Sequence, residues 1–307
     1  MLTIFEKMFR LSSVAKVALV LVFVMSSFVM ATDKLVVAVS FAPYAYLIET
    51  IGGKDVEVVT LLPPGTDPYN YKPNPAELLE FSRADVYFTD GSGVDRAWLP
   101  RFKELKKNMD VVDISEGFSW VAGEKQEPDP FVWTSPKSFS HFASNVRLAL
   151  SKYRPEKTES FTFNLTKLLN RLNRLNDELI RAVVRLPKEY RTIVVTRPQY
   201  RYFSRDYSVT QVPVNVAGNE PTPDELKNII ETGRKTNVSM LIVPPDFSQK
   251  AKDAISKELG VKVLALDILE YNFINNLMAI VAVYSDIAAE RLKKAQADPT
   301  KKHIYKK

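Results

Sequence analysis

The 307-residue chain is 46% apolar, enough for one large domain or two medium lobes. Its formal charge of +6 comes from its ends: residues 1–31 hold three basic side chains and one acidic one, the terminal KKHIYKK adds four lysines, and the rest is near neutral. No basic face for nucleic acid is implied, and the absence of cysteine excludes disulfides, thiol chemistry and a lipid carried on cysteine.

Residues 1–31 read as a signal peptide. Lys7, Arg10 and Lys16 precede the apolar run VALVLVFVMSSFVMA, and Val29 and Ala31 occupy the small-residue positions of a cleavage site. The competing reading is a retained anchor, against which the run is short for a span. A chain cut after Ala31 would be soluble in the periplasm or outside the cell, and not a lipoprotein.

From there the pattern is regular. KLVVAVS (34–40), DVEVVTLL (55–62), ADVYFTDG (84–91) and MDVVDIS (109–115) alternate with helical segments, and so do RTIVVT (191–196), SVTQVPVNV (208–216), NVSMLIVP (237–244) and GVKVLALD (260–267). Continuous apolar strands between helices predict parallel sheets covered on both faces. The expected fold is therefore α/β, with two lobes, each a parallel sheet with flanking helices. The N-terminal lobe spans 32–154, the C-terminal lobe spans 188–296, and a basic tail covers 297–307. NPAEL and TPDEL each predict a helix start, with Asn74 or Thr222 as N-cap, proline next and glutamate at the third position.

Between the lobes, residues 155–187 contain no internal proline or glycine. Leu165, Leu168, Leu172, Leu175, Leu179 and Val183 recur at three- and four-residue steps, the period of a helix with one buried stripe. Such a helix would be about 45 Å long and could bridge both lobes. A coiled-coil partner is the alternative, but the stripe lasts barely three heptads.

In parallel α/β sheets, ligands sit beyond the carboxyl ends of the strands. Four segments qualify: GTDPYNYKP after the second strand, PDPFVWTSP (128–136), TRPQYRYF (196–203), and Asp267 closing VKVLALD. In order and context they resemble the site segments of the zinc- and manganese-type substrate-binding proteins of ABC importers, the group that includes ZnuA and TroA. That family reads D-P-H-x-Y-x-P-x-P, D-P-H-x-W-x-S-P and H-D-A-F-G-Y-F where this chain has DPYNYKPNP, DPFVWTSP and RPQYRYF. Both end on an aspartate. The resemblance covers nearly the whole mature chain and implies a ligand cleft between the two lobes. It also implies zinc or manganese as solute, an inner-membrane ABC permease as partner, and a monomer.

The family's three imidazole positions fall here on Tyr69, Phe131 and Arg197, leaving Asp267 as the one carried-over metal ligand. Phenylalanine has no donor atom, and arginine is a permanent cation. The candidate cleft is therefore Tyr69, Tyr71, Phe131, Trp133, Arg197 and Asp267. A carboxylate at the end of a buried strand needs a partner, and Arg197 is the expected one, in a direct ion pair. Asp67 and Asp129 precede prolines and are expected to bond backbone amides. His141 is expected to pack on a helix, and His303 lies in the tail. Three readings follow. One is a solute-binding protein of a metal-type importer, taking a metal ion or a small anionic or zwitterionic solute. The second is a ligand-free interaction protein of the envelope. The third, an enzyme, lacks a cysteine, a histidine in the cleft segments and an acid pair at a recognisable spacing.

Envelope-fraction protein should have the intact mass of a chain beginning at Thr32. A mass that includes residues 1–31 would contradict the cleavage.

Overall fold

The computed structural model describes residues 34–68, 70–123, 127–216 and 218–297. The expected signal peptide, Tyr69 and the tail beyond residue 297 lie outside the described residues. In chain order the first half runs β1 (Leu35–Phe41), α1 (Ala42–Gly52), β2 (Val56–Leu62), α2 (Pro75–Phe81), β3 (Val86–Thr89), α3 (Gly93–Leu105), β4 (Asp110–Asp113), α4 (Pro136–Tyr153) and α5 (Thr158–Val184). The second half runs β5 (Thr192–Val195), α6 (Arg201–Tyr207), β6 (Thr210–Pro213), α7 (Pro223–Thr236), β7 (Val238–Val243), α8 (Gln249–Leu259), β8 (Lys262–Ala265) and α9 (Ile274–Ala297).

The strands form two parallel four-stranded sheets with the same winding, β2-β1-β3-β4 and β6-β5-β7-β8. Central strands β3, β5 and β7 are buried along their whole length, while β4, β6 and β8 are exposed at both ends. The sequence explains this difference: VYFT, TIVV and VSMLIV carry little charge, whereas DVVD and KVLA put charges at strand ends. Each sheet reverses its winding once, between β1 and β3 and between β5 and β7, and the carboxyl ends there open a crevice. Both sheets belong to one compact unit. Among the described residues, no helix is long and apolar enough to cross a membrane.

Both expected caps form in full. The side chains of Asn74 and Thr222 accept from the amides of Glu77 and Glu225, and each glutamate carboxylate accepts from its cap residue's amide in return.

The bridging helix α5 has 27 residues, about 40 Å at ~1.5 Å each. It is slightly shorter than expected because Pro155–Lys157 forms a separate 3-10 turn. All six residues of the stripe are buried, joined by Phe161 and Ala182. The helix packs on α1 and α4 of the first lobe and on α6 and α9 of the second. Asn164 and Arg171 bond Ile51 and Tyr46 in α1, and Asn176 accepts from Tyr207 in α6. The stripe therefore lies against its own lobes rather than against a coiled-coil partner.

At the crevice of the first sheet sits an acid pair that sequence reading missed. Asp90 and Asp95 are each 1% exposed. Asp95 accepts from the hydroxyls of Ser40, Tyr87 and Thr89 and from the Asp90 amide. Asp90 accepts from the Ser92 amide at 2.8 Å through one oxygen; its other oxygen has no partner among the described residues. Burial first, and then the charge of Asp95, push the Asp90 carboxyl well above the usual carboxylate range.

Two outcomes follow. Leu172 is fully buried mid-stripe, so Leu172→Ala should cost about 2–5 kcal/mol in denaturant unfolding; a loss under ~1 kcal/mol would mean the stripe is not packed. An Asp90 whose folded pKa is raised favours the fold while it is protonated. That contribution is complete below the unfolded value of ~3.9 and is lost as pH rises through the folded one. Wild-type stability should thus fall toward alkaline pH, and Asp90→Asn, which imitates the neutral acid, should flatten that fall. Parallel pH curves for the two proteins would contradict the assignment.

Candidate functional site

A cavity of about 220 Å³ opens at the carboxyl ends of β5, β7 and β8, closed on its other side by Gly65–Pro68 from the loop after β2. Gly65 adopts φ +82 with open space around the Cβ position. The backbone conformation, not crowding, calls for glycine there. That conformation aims the Gly65 amide across the cleft at Asp267 Oδ2, 2.6 Å away. The loop otherwise ties itself: the Asp67 carbonyl accepts from the amides of Asn70 and Tyr71, and its carboxylate accepts from the Asn70 side chain at 2.7 Å. The Asp67 carboxylate thus takes a side-chain amide where a backbone amide was expected.

Asp267 accepts a second backbone amide, Leu269, on Oδ1 at 2.9 Å. Burial raises its pKa, the Leu269 and Gly65 amides lower it, and the nearby carboxylates of Glu270 and Asp246 raise it further, with a net upward shift. Tyr200, also lining the cavity, is pushed well above the usual phenol range by burial and then by Asp267.

The expected Arg197–Asp267 ion pair does not form. Arg197 instead faces Asp67 across the cleft, Nη2 to Oδ2 at 3.5 Å, while Asp267 takes its hydrogen bonds from backbone amides. The reason is reach: Gly65 already fills the Oδ2 side of Asp267, and Asp67 stands on the same loop with a carboxylate turned to the arginine.

The structure separates the other candidates from this cavity. Phe131 and Trp133 are each 2% exposed and join the aromatic core, with Trp133 packed on Phe41 and Tyr44. The indole N–H, buried with its ring, needs an acceptor and finds the Ile268 carbonyl of the second lobe at 2.7 Å. Tyr71 packs half-buried against the core and does not line the cavity. Of the expected cleft residues, Arg197 and Asp267 are the two described ones that line it. His141 packs against Phe118 and bonds the Glu116 carbonyl at 2.6 Å, as a helix-face histidine would.

Sequence reading missed the strongest charged contact between the lobes. Asp129, 1% exposed, accepts from the Phe131 amide and pairs with Arg201 at 3.0 Å, while its carbonyl accepts from the Tyr202 hydroxyl. Arg201 stands four residues after Arg197, at the start of α6, and that spacing was the available signal. A second bridge joins the side chains of Ser135 and Ser138 to Asp206, whose carboxyl is held low by Arg205 and the two serines in spite of burial.

At the positions where the resemblance puts metal ligands, Phe131 is buried without a donor atom, Arg197 is cationic, and each Asp267 oxygen accepts one amide. Among the described residues, no three of His, Cys, Asp or Glu converge.

Residues 37–305 match the family described as ZnuA, zinc-uptake complex component A, periplasmic. The metal ABC transporter substrate-binding lipoprotein ScbA of Streptococcus cristatus is 28% identical over 246 residues, covering 76% of this chain and 79% of its own. The manganese-binding lipoprotein MntA of Halalkalibacterium halodurans is 26% identical over 234 residues, covering 75% and 78%. A crystal structure of ZnuA superposes with a TM-score of 0.72 at 35% identity, over 84% of this chain and 99% of that one. The periplasmic zinc binding protein TroA from Treponema pallidum shares the fold, with a TM-score of 0.70 at 20% identity over 83% and 99%. With its profile matched over most of its length and its paired, identically wound sheets, the chain belongs to the ZnuA family.

Proposed function

We propose that this chain is the extracytoplasmic solute-binding component of a zinc- and manganese-type ABC importer, and that its cleft has exchanged the family's ion for bonds of its own. The relatives' names supply the importer class; the cleft supplies the exchange. The observation that carries it is the Gly65 amide on Asp267 across the cleft, with Arg197 set opposite Asp67 beside it. Where the resemblance puts four metal ligands, the two lobes here already meet through a hydrogen bond and an ion pair.

The chain would act as a monomer that delivers its solute to a permease. Its relatives are named lipoproteins, whereas this sequence has no cysteine to carry a thioether lipid, so release as a soluble protein accords with it. Binding rather than catalysis accords with the relatives, which are named as substrate-binding and metal-binding proteins.

A divalent ion in this cleft would lose hydration for fewer ligands than three imidazoles and a carboxylate supply, since Phe131 has no donor atom and Arg197, set against Asp67, cannot coordinate. Titration calorimetry on purified protein should therefore find zinc and manganese bound weakly. Nanomolar zinc that disappears in Asp267→Ala would overturn the exchange and restore the metal as the solute.

A further inference from the structure

We propose that the cavity at the carboxyl ends of β5, β7 and β8 takes a small organic cation, a protonated amine on a short apolar body. The proposal rests on the reading of the chain as a solute-binding component, and names the solute class.

Charge is the first argument. Three carboxylates and one guanidinium line the cavity. Arg197 faces Asp67. Asp246, on the loop after β7, accepts from the Asn219 side chain, and Asp267 accepts from two amides. Among the described residues, neither Asp246 nor Asp267 has a cation within ion-pair distance. Asp267 feels the charge of Asp246. Two carboxylates that line one cavity and that the chain does not neutralise favour a cation and repel an anion. The earlier expectation of a small anionic or zwitterionic solute took Arg197 and Asp267 to share an aromatic pocket; here Phe131 and Trp133 turn into the core and Asp246 adds another carboxylate to the cavity.

Donor chemistry is the second. A divalent metal wants several lone pairs in a fixed geometry, and the oxygens of Asp267 are each partly used. An ammonium imposes no coordination number. It brings three N–H donors that can share the remaining lone pairs of two carboxylates.

Size and lining are the third. The cavity's 220 Å³ is many times the ~10–15 Å³ that one water needs. It is also smaller than the ~300–1,000 Å³ of sites for drug-sized ligands. Val216, Ile242 and Leu266 add apolar lining, more than a bare ion would use and suited to a short alkyl body.

The test is calorimetry and thermal unfolding of the full chain with butylamine, 1,4-diaminobutane, butanol and butyrate. The expected result is saturable binding of both amines, with the diamine tighter because it meets both carboxylates, and no binding of butanol or butyrate. Asp246→Asn sits on an exposed loop; it should keep the wild-type unfolding midpoint and weaken amine binding roughly tenfold or more. Butyrate binding, no saturable amine binding, or an Asp246→Asn affinity equal to wild type would overturn the amine assignment. If zinc then still binds weakly, the importer reading stands without it. Tight zinc that displaces the amine and is lost in Asp267→Asn would overturn the reading of the cleft beneath it.

Discussion

A carboxylate at the end of a buried strand must find donors, and Asp267 finds one of its two in the opposite lobe. That single requirement organises the cleft. Because Gly65 supplies the donor, the loop after β2 must turn through a left-handed glycine and lie over the strand ends of the second sheet. Because the loop lies there, Asp67 comes opposite Arg197 rather than facing solvent alone. Because Asp267 is served by amides and not by an arginine, it keeps lone pairs and negative charge toward the cavity.

Several other buried polar groups are satisfied from across the boundary between the lobes. Asp129 takes Arg201 and Tyr202, Trp133 donates to Ile268, and Ser135 and Ser138 share Asp206. Leaving any of these groups unpaired on opening would carry a desolvation penalty of about 1–3 kcal/mol, more for the charged ones. Helix α5 adds a stiff connection, since one buried stripe packs on helices of both lobes. These bonds oppose a wide hinge rotation. The weakest elements at the site are the exposed parts of the loop around Asp67 and its 3.5 Å contact with Arg197, which at 35–40% exposure is screened by solvent. Local movement of that loop is therefore the least costly route by which a solute could enter.

The fold was legible because its signals are local and mutually consistent. The strands stood out as apolar runs, both capping boxes formed from residues three apart, and the α5 stripe gave its period over six residues. The site was less legible because it depends on pairings across long sequence distances. Arg197 and Asp267 were rightly placed near one cavity, but which acid the arginine meets was decided by a loop 130 residues away. For Arg201 the one local hint was the four-residue step from Arg197, while its acid lies 72 residues away; Asp90 and Asp95 stand five residues apart, and only their burial makes them a pair. Phe131 and Trp133 illustrate a different limit: a motif position fixes where a residue sits along the chain, not which way its ring turns. A large apolar ring without a donor gains more from the aromatic core than from a polar cleft.

Replacing an imidazole by arginine at position 197 might be expected to invert the electrostatics of a cation site. The geometry prevents it. The new positive charge is set against Asp67, which the loop carries close by, so the local sum of that pair is near zero. What remains toward the cavity is Asp267 with Asp246, two negative charges held apart from any cation of the chain among the described residues. On the proposed reading, arginine at position 197 therefore leaves the sign of the field toward the cavity negative, and the cleft would discriminate by charge and by the size and shape of its apolar lining.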